Sequence, residues 1–331
     1  MTSAFPFRTA AVGGSLAFAL TLVACGGGAE TPATNDTPAQ AGSIQVEDNN
    51  GTQTVAIPPQ SVVSTDNRTF ETLHDWGIEL VAAPLTLIPD TIGYSSDTSI
   101  VDLGNHREPD LEAVVAVEPD LIINGQRFAQ YQEDFVSLAP NATIILLDPR
   151  DGEPLDGELI RQTEVLGEIF GKQAEAAQLV ADLEAAIERV KAAYDGEQTV
   201  MAVNTSGGNI GYIAPGVGRT LGPVFELFGM SPALSVEGTD DHQGDDISVE
   251  AIADSNPDWI LVMDRDAAVA ADDAAYTPAK DLLENSEALQ GVTAVQQGNV
   301  VYMPADTYTN EGIQTYTEFF NAFADALEAA N

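Results

Sequence analysis

One short passage of this chain occurs twice. PDLEAVVAVEPDLII at residues 109–123 and ISVEAIADSNPDWIL at residues 247–261 align without gaps, and each places a Glu seven residues before a Pro-Asp pair. Both copies spell a short amphipathic helix followed by an apolar strand. One such unit cannot bury its own apolar face, so two copies this far apart imply two similarly built α/β halves. In each copy the Glu, Glu112 or Glu250, falls in the first helical turn behind a residue suited to N-capping, Asp110 or Ser248. A carboxylate is favoured at that positive helix end. A dipole partner explains either glutamate alone but not their pairing across the two halves.

The remaining pattern agrees with two halves. From residue 43, IQVEDNNGTQTVAI alternates around an Asn-Asn-Gly turn and predicts a hairpin;. SVVSTD reads as a buried strand, and a short helix over residues 70–76 stops at Gly77;. Strand-like ELVAAP, SIVDLG, DLIING and TIILLD then alternate with helix-like LEAVVAVE and FAQYQEDFVSLA. This alternation predicts a mostly parallel sheet covered on both faces, with ligands at the carboxyl ends of its strands. Residues 172–194 contain no Gly or Pro and are rich in Ala, Leu and Glu, which predicts a helix about 33 Å long;. Beyond Asp195-Gly196 a second alternation begins: TVMAVN, a Gly-rich hairpin NIGYIAPG, helices LGPVFELFG and VEAIADS, strands WILVMD and NVVYMP, and a C-terminal helix. The fold class is α/β, with two lobes over residues 43–171 and 195–331 joined by a single long helix.

Charge narrows the function. Twelve Lys and Arg against 52 Asp and Glu give a net charge of −40, which repels nucleic acid and anionic lipid headgroups;. The only cysteine, Cys25, ends an apolar run that follows a single Arg, the layout of a secretory signal;. Leu22-Val23-Ala24-Cys25 resembles a bacterial lipobox, with an ordinary signal ending in Cys as the alternative. The reading is a cleaved signal over residues 1–24, then a lipidated Cys25 and a flexible Gly- and Pro-containing tether over residues 25–42;. It places the chain outside the cytoplasmic membrane, anchored to its outer face. No nucleophile elbow, phosphate loop or dinucleotide fingerprint is present, and the single thiol is the lipid site;. An enzyme on a two-lobe scaffold is the remote alternative, no cofactor is expected, and a monomer is the default.

The lipobox, the tether, the two lobes on one helix and the paired Glu-to-Pro-Asp repeats resemble the ferric-siderophore and cobalamin class of substrate-binding lipoproteins that serve ABC importers. The likeness extends over residues 43–330. It implies two Rossmann-like lobes of the class III, helical-backbone type and an ABC permease dimer with its ATPase as partner. It also implies that Glu112 and Glu250 dock onto the two permease subunits. The details most resemble receptors for ferric catecholates of the petrobactin and enterobactin group, in which three arginines surround the anionic iron complex. Arg127 follows PDLIING, Arg219 lies in PGVGRTLG and Arg265 ends ILVMDR. The first motif in that family reads S-G-R, whereas here Asn124-Gly125-Gln126-Arg127 displaces the arginine by one residue.

Arginine suits this task because its planar fork donates paired hydrogen bonds and stays charged. A ferric tris-catecholate carries three negative charges, and screening over about 8 Å leaves local cations, not net charge, to decide its affinity. Arg68 and Arg107 are further ligand-binding candidates that equally serve as partners of surface acids. The resemblance places His242 and Tyr308 near positions where relatives carry a His and a Tyr; each is a possible iron ligand or, alternatively, a solvated loop residue and a partly buried one. Tyr94, Tyr212 and Trp76 read as stacking groups or as core, and Trp259 as core. Cobalamin or haem is the alternative cargo, and the arginines favour the more anionic one.

Overall fold

The computed structural model describes residues 42–105 and 107–330. The leader, Cys25 and all but the last residue of the tether lie outside the described residues. No helix among the described residues is long and apolar enough to cross a membrane.

The first half opens on the hairpin β1 (Gly42–Asp48) and β2 (Gly51–Ile57), in antiparallel register from Gly42 opposite Ile57 to Asp48 opposite Gly51. There follow β3 (Val62–Ser64), α1 (Phe70–Asp75), β4 (Ala82–Ala83), β5 (Val101–Asp102) and the two-residue ribbon of β6 (Gly104–Asn105) and β7 (Glu108–Pro109). Next come α2 (Leu111–Ala116), β8 (Leu121–Asn124), α3 (Gln132–Leu138) and β9 (Thr143–Leu146). The N-terminal sheet runs β5-β4-β3-β8-β9 and all its pairs are parallel. Successive strand residues point to opposite faces. Val62, Leu121, Ile123 and Ile145 therefore fill one core, and Val63, Ile122 and Ile144 fill the other.

Two helices then pack side by side. α4 (Leu155–Phe170) ends at Gly171 in the left-handed conformation, and α5 (Gln173–Ala193) is the long connector expected from its composition. Ala176 of α5 sits in the N-terminal core, whereas Leu183, Ala186, Ile187 and Val190 sit in the C-terminal one. α4 has no counterpart in the sequence reading. It spans both lobes in the opposite sense, with Leu155 and Leu159 in the C-terminal core and Leu166 and Ile169 in the N-terminal core.

The second half contains β10 (Thr199–Ser206), β11 (Asn209–Ile213), α6 (Gly222–Phe228), β12 (Ser231–Pro232), β13 (Asp245–Asp246), α7 (Val249–Ser255) and β14 (Trp259–Asp264). It closes with α8 (Arg265–Val269), α9 (Ala279–Glu284), α10 (Thr293–Gln297), β15 (Val300–Tyr302) and α11 (Ile313–Ala330). Its sheet runs β13-β11-β10-β14-β15, with β12 beside the start of β10. Only β11 runs against its neighbours, so this sheet is mixed. Phe323 packs edge-on against Trp259 at 5.6 Å, which fixes α11 on the sheet and confirms Trp259 as core.

The repeat is visible atom by atom. Asp110 accepts the Ala113 N–H at 2.9 Å at the start of α2, and Ser248 accepts the Ala251 N–H at 3.1 Å at the start of α7. Glu118 and Asn256 both end their helices with positive φ, at 45° and 43°. The Pro-Asp aspartates tie each following strand to its neighbour: Asp120 accepts from the Gln60 and Ser61 N–H groups, and Asp258 from the N–H and hydroxyl of Thr199.

Candidate functional site

A cavity of about 410 Å³ lies between the lobes, within the size range of small-molecule sites;. The loops after the parallel strands build it, as the topology requires. Thr65 and Asn67 follow β3, Gln126 and Arg127 follow β8, Arg265 follows β14 and Tyr308 follows β15. Arg219 comes from the loop before α6 and His242 from the loop before β13. Arg107 also lines the cavity and is exposed. Four arginines thus face this cavity and, among the described residues, no carboxylate lines it.

Three of these arginines meet on one ring. The guanidinium carbons of Arg219, Arg265 and Arg127 lie 4.4, 4.8 and 5.8 Å from the centroid of Tyr308, whose side chain is 5% exposed. The negative face of an aromatic ring attracts cations, so Tyr308 offsets part of the repulsion between three converging positive groups. Arg127 also donates from Nη2 to the Tyr308 hydroxyl. The one-residue displacement of Arg127 is absorbed upstream. Gly125 is fully extended against Asp66, where a Cβ would meet the carboxyl carbon at 2.5 Å, and Gln126 takes a left-handed φ of 52°. Arg127 thereby still reaches the cavity.

The other two arginines on the ring, Arg265 and Arg219, are held from behind. Arg265 opens α8 behind Asp264, which accepts from the Ala267 N–H, the Thr205 and Tyr276 hydroxyls and the Ala279 N–H. Its Nη1 bonds Asp266 at 3.1 Å and Ser206 at 3.3 Å, while its buried Nε has no hydrogen-bond partner among the described residues. Arg219 is paired with Glu311 through Nη2 at 2.7 Å and Nε at 2.9 Å. Burial alone would push the Glu311 carboxyl up, but Arg219 and Arg68 together hold it below the ordinary carboxylate range;. Arg68 does not line this cavity; it pairs with Asp148 at 3.1 Å and Glu311 at 3.3 Å behind it. Asp66, buried beneath this cluster, has its pKa raised to about 7, by burial first and then by the Asp148 charge, against the opposing pull of Arg68.

His242 is exposed at the cavity edge. Desolvation and the charges of Arg127, Arg265 and Arg219 lower its pKa despite Asp241, which leaves a neutral imidazole with a free lone pair at neutral pH;. Tyr94, Tyr212 and Trp76 are buried and line no part of the cavity. Glu112 and Glu250 are exposed on the first turns of α2 and α7. No group of three or more His, Cys, Asp or Glu suited to a metal ion occurs among the described residues. Sequence reasoning did not single out Glu311, Asp66, Asp148 or Gln126.

Residues 62–307, which contain the strands and loops that build this cavity, match the model of the periplasmic binding protein family. The chain belongs to that family. This periplasmic binding protein is 27% identical over 324 residues to the petrobactin-binding protein YclQ of Bacillus subtilis, covering 95% of this chain and 97% of the relative. It is 28% identical over 267 residues to the ferric-anguibactin-binding protein FatB of Vibrio anguillarum, covering 80% and 81% of the two chains. The crystal structure of YclQ superposes with a TM-score of 0.74 at 25% identity, covering 87% of this chain and 99% of that one. The α/β fold with its long helix is that of the class III members.

Proposed function

We propose that this protein captures a ferric siderophore of net negative charge, with catecholate types favoured, and delivers it to an ABC importer for iron uptake. The observation that carries the reading is a cavity lined, among the described residues, by four arginines and no carboxylate in a chain of net charge −40. An iron chelate whose oxygen ligands bear the charge meets paired, permanently charged donors there. The names of YclQ and FatB support an iron-chelate cargo. Arg127, Arg219 and Arg265 bind the anionic complex above Tyr308, and Arg107 adds charge at the rim. A tetradentate chelate leaves iron positions open, and His242, with its neutral imidazole, is better suited to fill one than Tyr308, whose hydroxyl already accepts from Arg127.

Glu112 and Glu250 are the groups that dock on the two permease subunits, supported by their matched exposed positions in the two lobes. Residues 1–24 serve as a cleaved signal, Cys25 carries the lipid and residues up to 42 tether the lobes to the outer face of the cytoplasmic membrane. Binding, without chemical conversion of the cargo, is the whole of the activity. The test is a tryptophan-fluorescence titration against ferric tris-catecholates, bis-catecholates, hydroxamates, citrate-type chelates, cobalamin and haem. Submicromolar quenching by one ferric class and not by its iron-free form supports the reading. Binding of cobalamin or haem alone refutes the arginine-cage assignment.

A further inference from the structure

The Glu311 carboxylate is 2% exposed and has partners in both lobes. From the C-terminal lobe, Arg219 and the Thr220 hydroxyl, at 2.8 Å, bond Oε1. From the N-terminal lobe, Gln126 Nε2 at 2.6 Å and Arg68 at 3.3 Å reach Oε2. Two of these partners occupy left-handed backbone: Gln126 at φ 52° and Thr220 at φ 65°. A β-branched threonine rarely adopts that conformation, and such strain persists only where the surroundings enforce it.

The flanking residues of Glu311 complete a contact strip. Asn310 donates to Glu71 at 2.7 Å, and Gln314 accepts from Thr72 at 2.8 Å. A Cβ on Gly312 would stand 2.7 Å from the Arg68 carbonyl, so the backbones of the two lobes touch here. The N-terminal side is braced in turn, since Asp148 accepts both the Gln126 N–H and the Arg68 guanidinium.

We infer that Glu311 is a clasp between the lobes and a positioning residue for Arg219. It holds the lobes at their observed separation and the Arg219 guanidinium over the Tyr308 ring. Gln126, the residue that displaces Arg127 by one, is the N-terminal half of this clasp. The effect on cargo rests on the reading of the cavity given above; the effect on lobe separation does not.

Two measurements on the full chain test it. The first is the distance between spin labels at V136C and E287C, on exposed positions of the two lobes, in a chain with C25S and no cargo. E311Q is expected to lengthen and broaden this distribution, and E311D to restore it in part; an unchanged distribution in E311Q overturns the clasp. The second is the affinity of a ferric tris-catecholate for the wild type, E311Q, R219M and the double variant. E311Q is expected to weaken binding at least tenfold, and the double variant to bind within twofold of R219M. Independent, multiplying losses, or unchanged affinity in E311Q, overturn the positioning of Arg219. If the wild type binds no ferric chelate, the cargo reading fails and the label distances alone decide the clasp. If E311Q does not fold, Q126M, which removes one N-terminal partner and leaves the Arg219 pair, is judged by the same distances.

Discussion

Replacing Arg265 and Tyr308 singly and together tests whether the tyrosine ring holds the arginine cluster. The Arg265 guanidinium stands 4.8 Å from the ring centroid and its side chain is 21% exposed. A cation–π pair contributes about 0.5–1 kcal/mol at an exposed site and about 2 kcal/mol when desolvated, so a partly buried pair couples by about 1–2 kcal/mol. Neither single variant isolates that quantity. Y308L also removes buried apolar area and the acceptor of Arg127, and R265M also frees Ser206 and Asp266. A double-mutant cycle in urea unfolding, with stabilities from linear extrapolation, cancels these side effects. The same cycle with Arg219, nearer at 4.4 Å and 17% exposed, should give an equal or larger coupling. A coupling for Arg265 within the roughly 0.3–0.5 kcal/mol scatter of independent sites refutes the shared platform.

Three further outcomes follow from the charges. Glu158 is buried in α4, which alone would raise its pKa, but Arg150 and Arg161 lower it to about 2. A lowered carboxyl pKa stabilises the fold above its unfolded value, so stability measured by calorimetry should fall between about pH 4.5 and 2, and E158Q should flatten that fall;. Asp66 has the opposite sign: its raised pKa means the folded state binds the extra proton, so stability should decline as pH rises from about 4 to 7, and D66N should remove that decline;. Replacing both Glu112 and Glu250 by Ala should abolish iron uptake by cells while leaving chelate affinity within twofold; lost affinity would remove them from the docking role.

Much of the fold was legible because it rests on local periodicity. The repeat marked helix, turn and strand in both lobes, and its aspartates and helix caps recur at matched positions in space. α4 was not, because DGEPLDGELIRQTEVLGEIFG mixes charges with four glycines and its apolar stripe becomes evident only beside α5. Arg127, Arg219 and Arg265 were legible because each lies at the carboxyl end of an apolar run or in a Gly-rich turn, where α/β sheets place ligands. Glu311 was not, since one Glu in Thr-Asn-Glu-Gly among so many acids carries no local signal, and the nearer in sequence of its two arginine partners lies 92 residues away. Arg68 looked the same as the cavity arginines in sequence; its pairing with Asp148 and Glu311 behind the cavity is a long-range packing result. The displaced Arg127 was legible as a departure, but its resolution through a left-handed Gln126 required the backbone.

Capture of a ferric chelate between the lobes is tested most directly by locating iron in crystals of the protein grown with a ferric tris-catecholate and measured at the iron absorption edge. The expected result is one iron peak in the cavity beside the Tyr308 ring, with Arg127, Arg219 and Arg265 donating to the chelate oxygens. An iron peak elsewhere, or a cavity that stays empty of iron at saturating chelate, would contradict it.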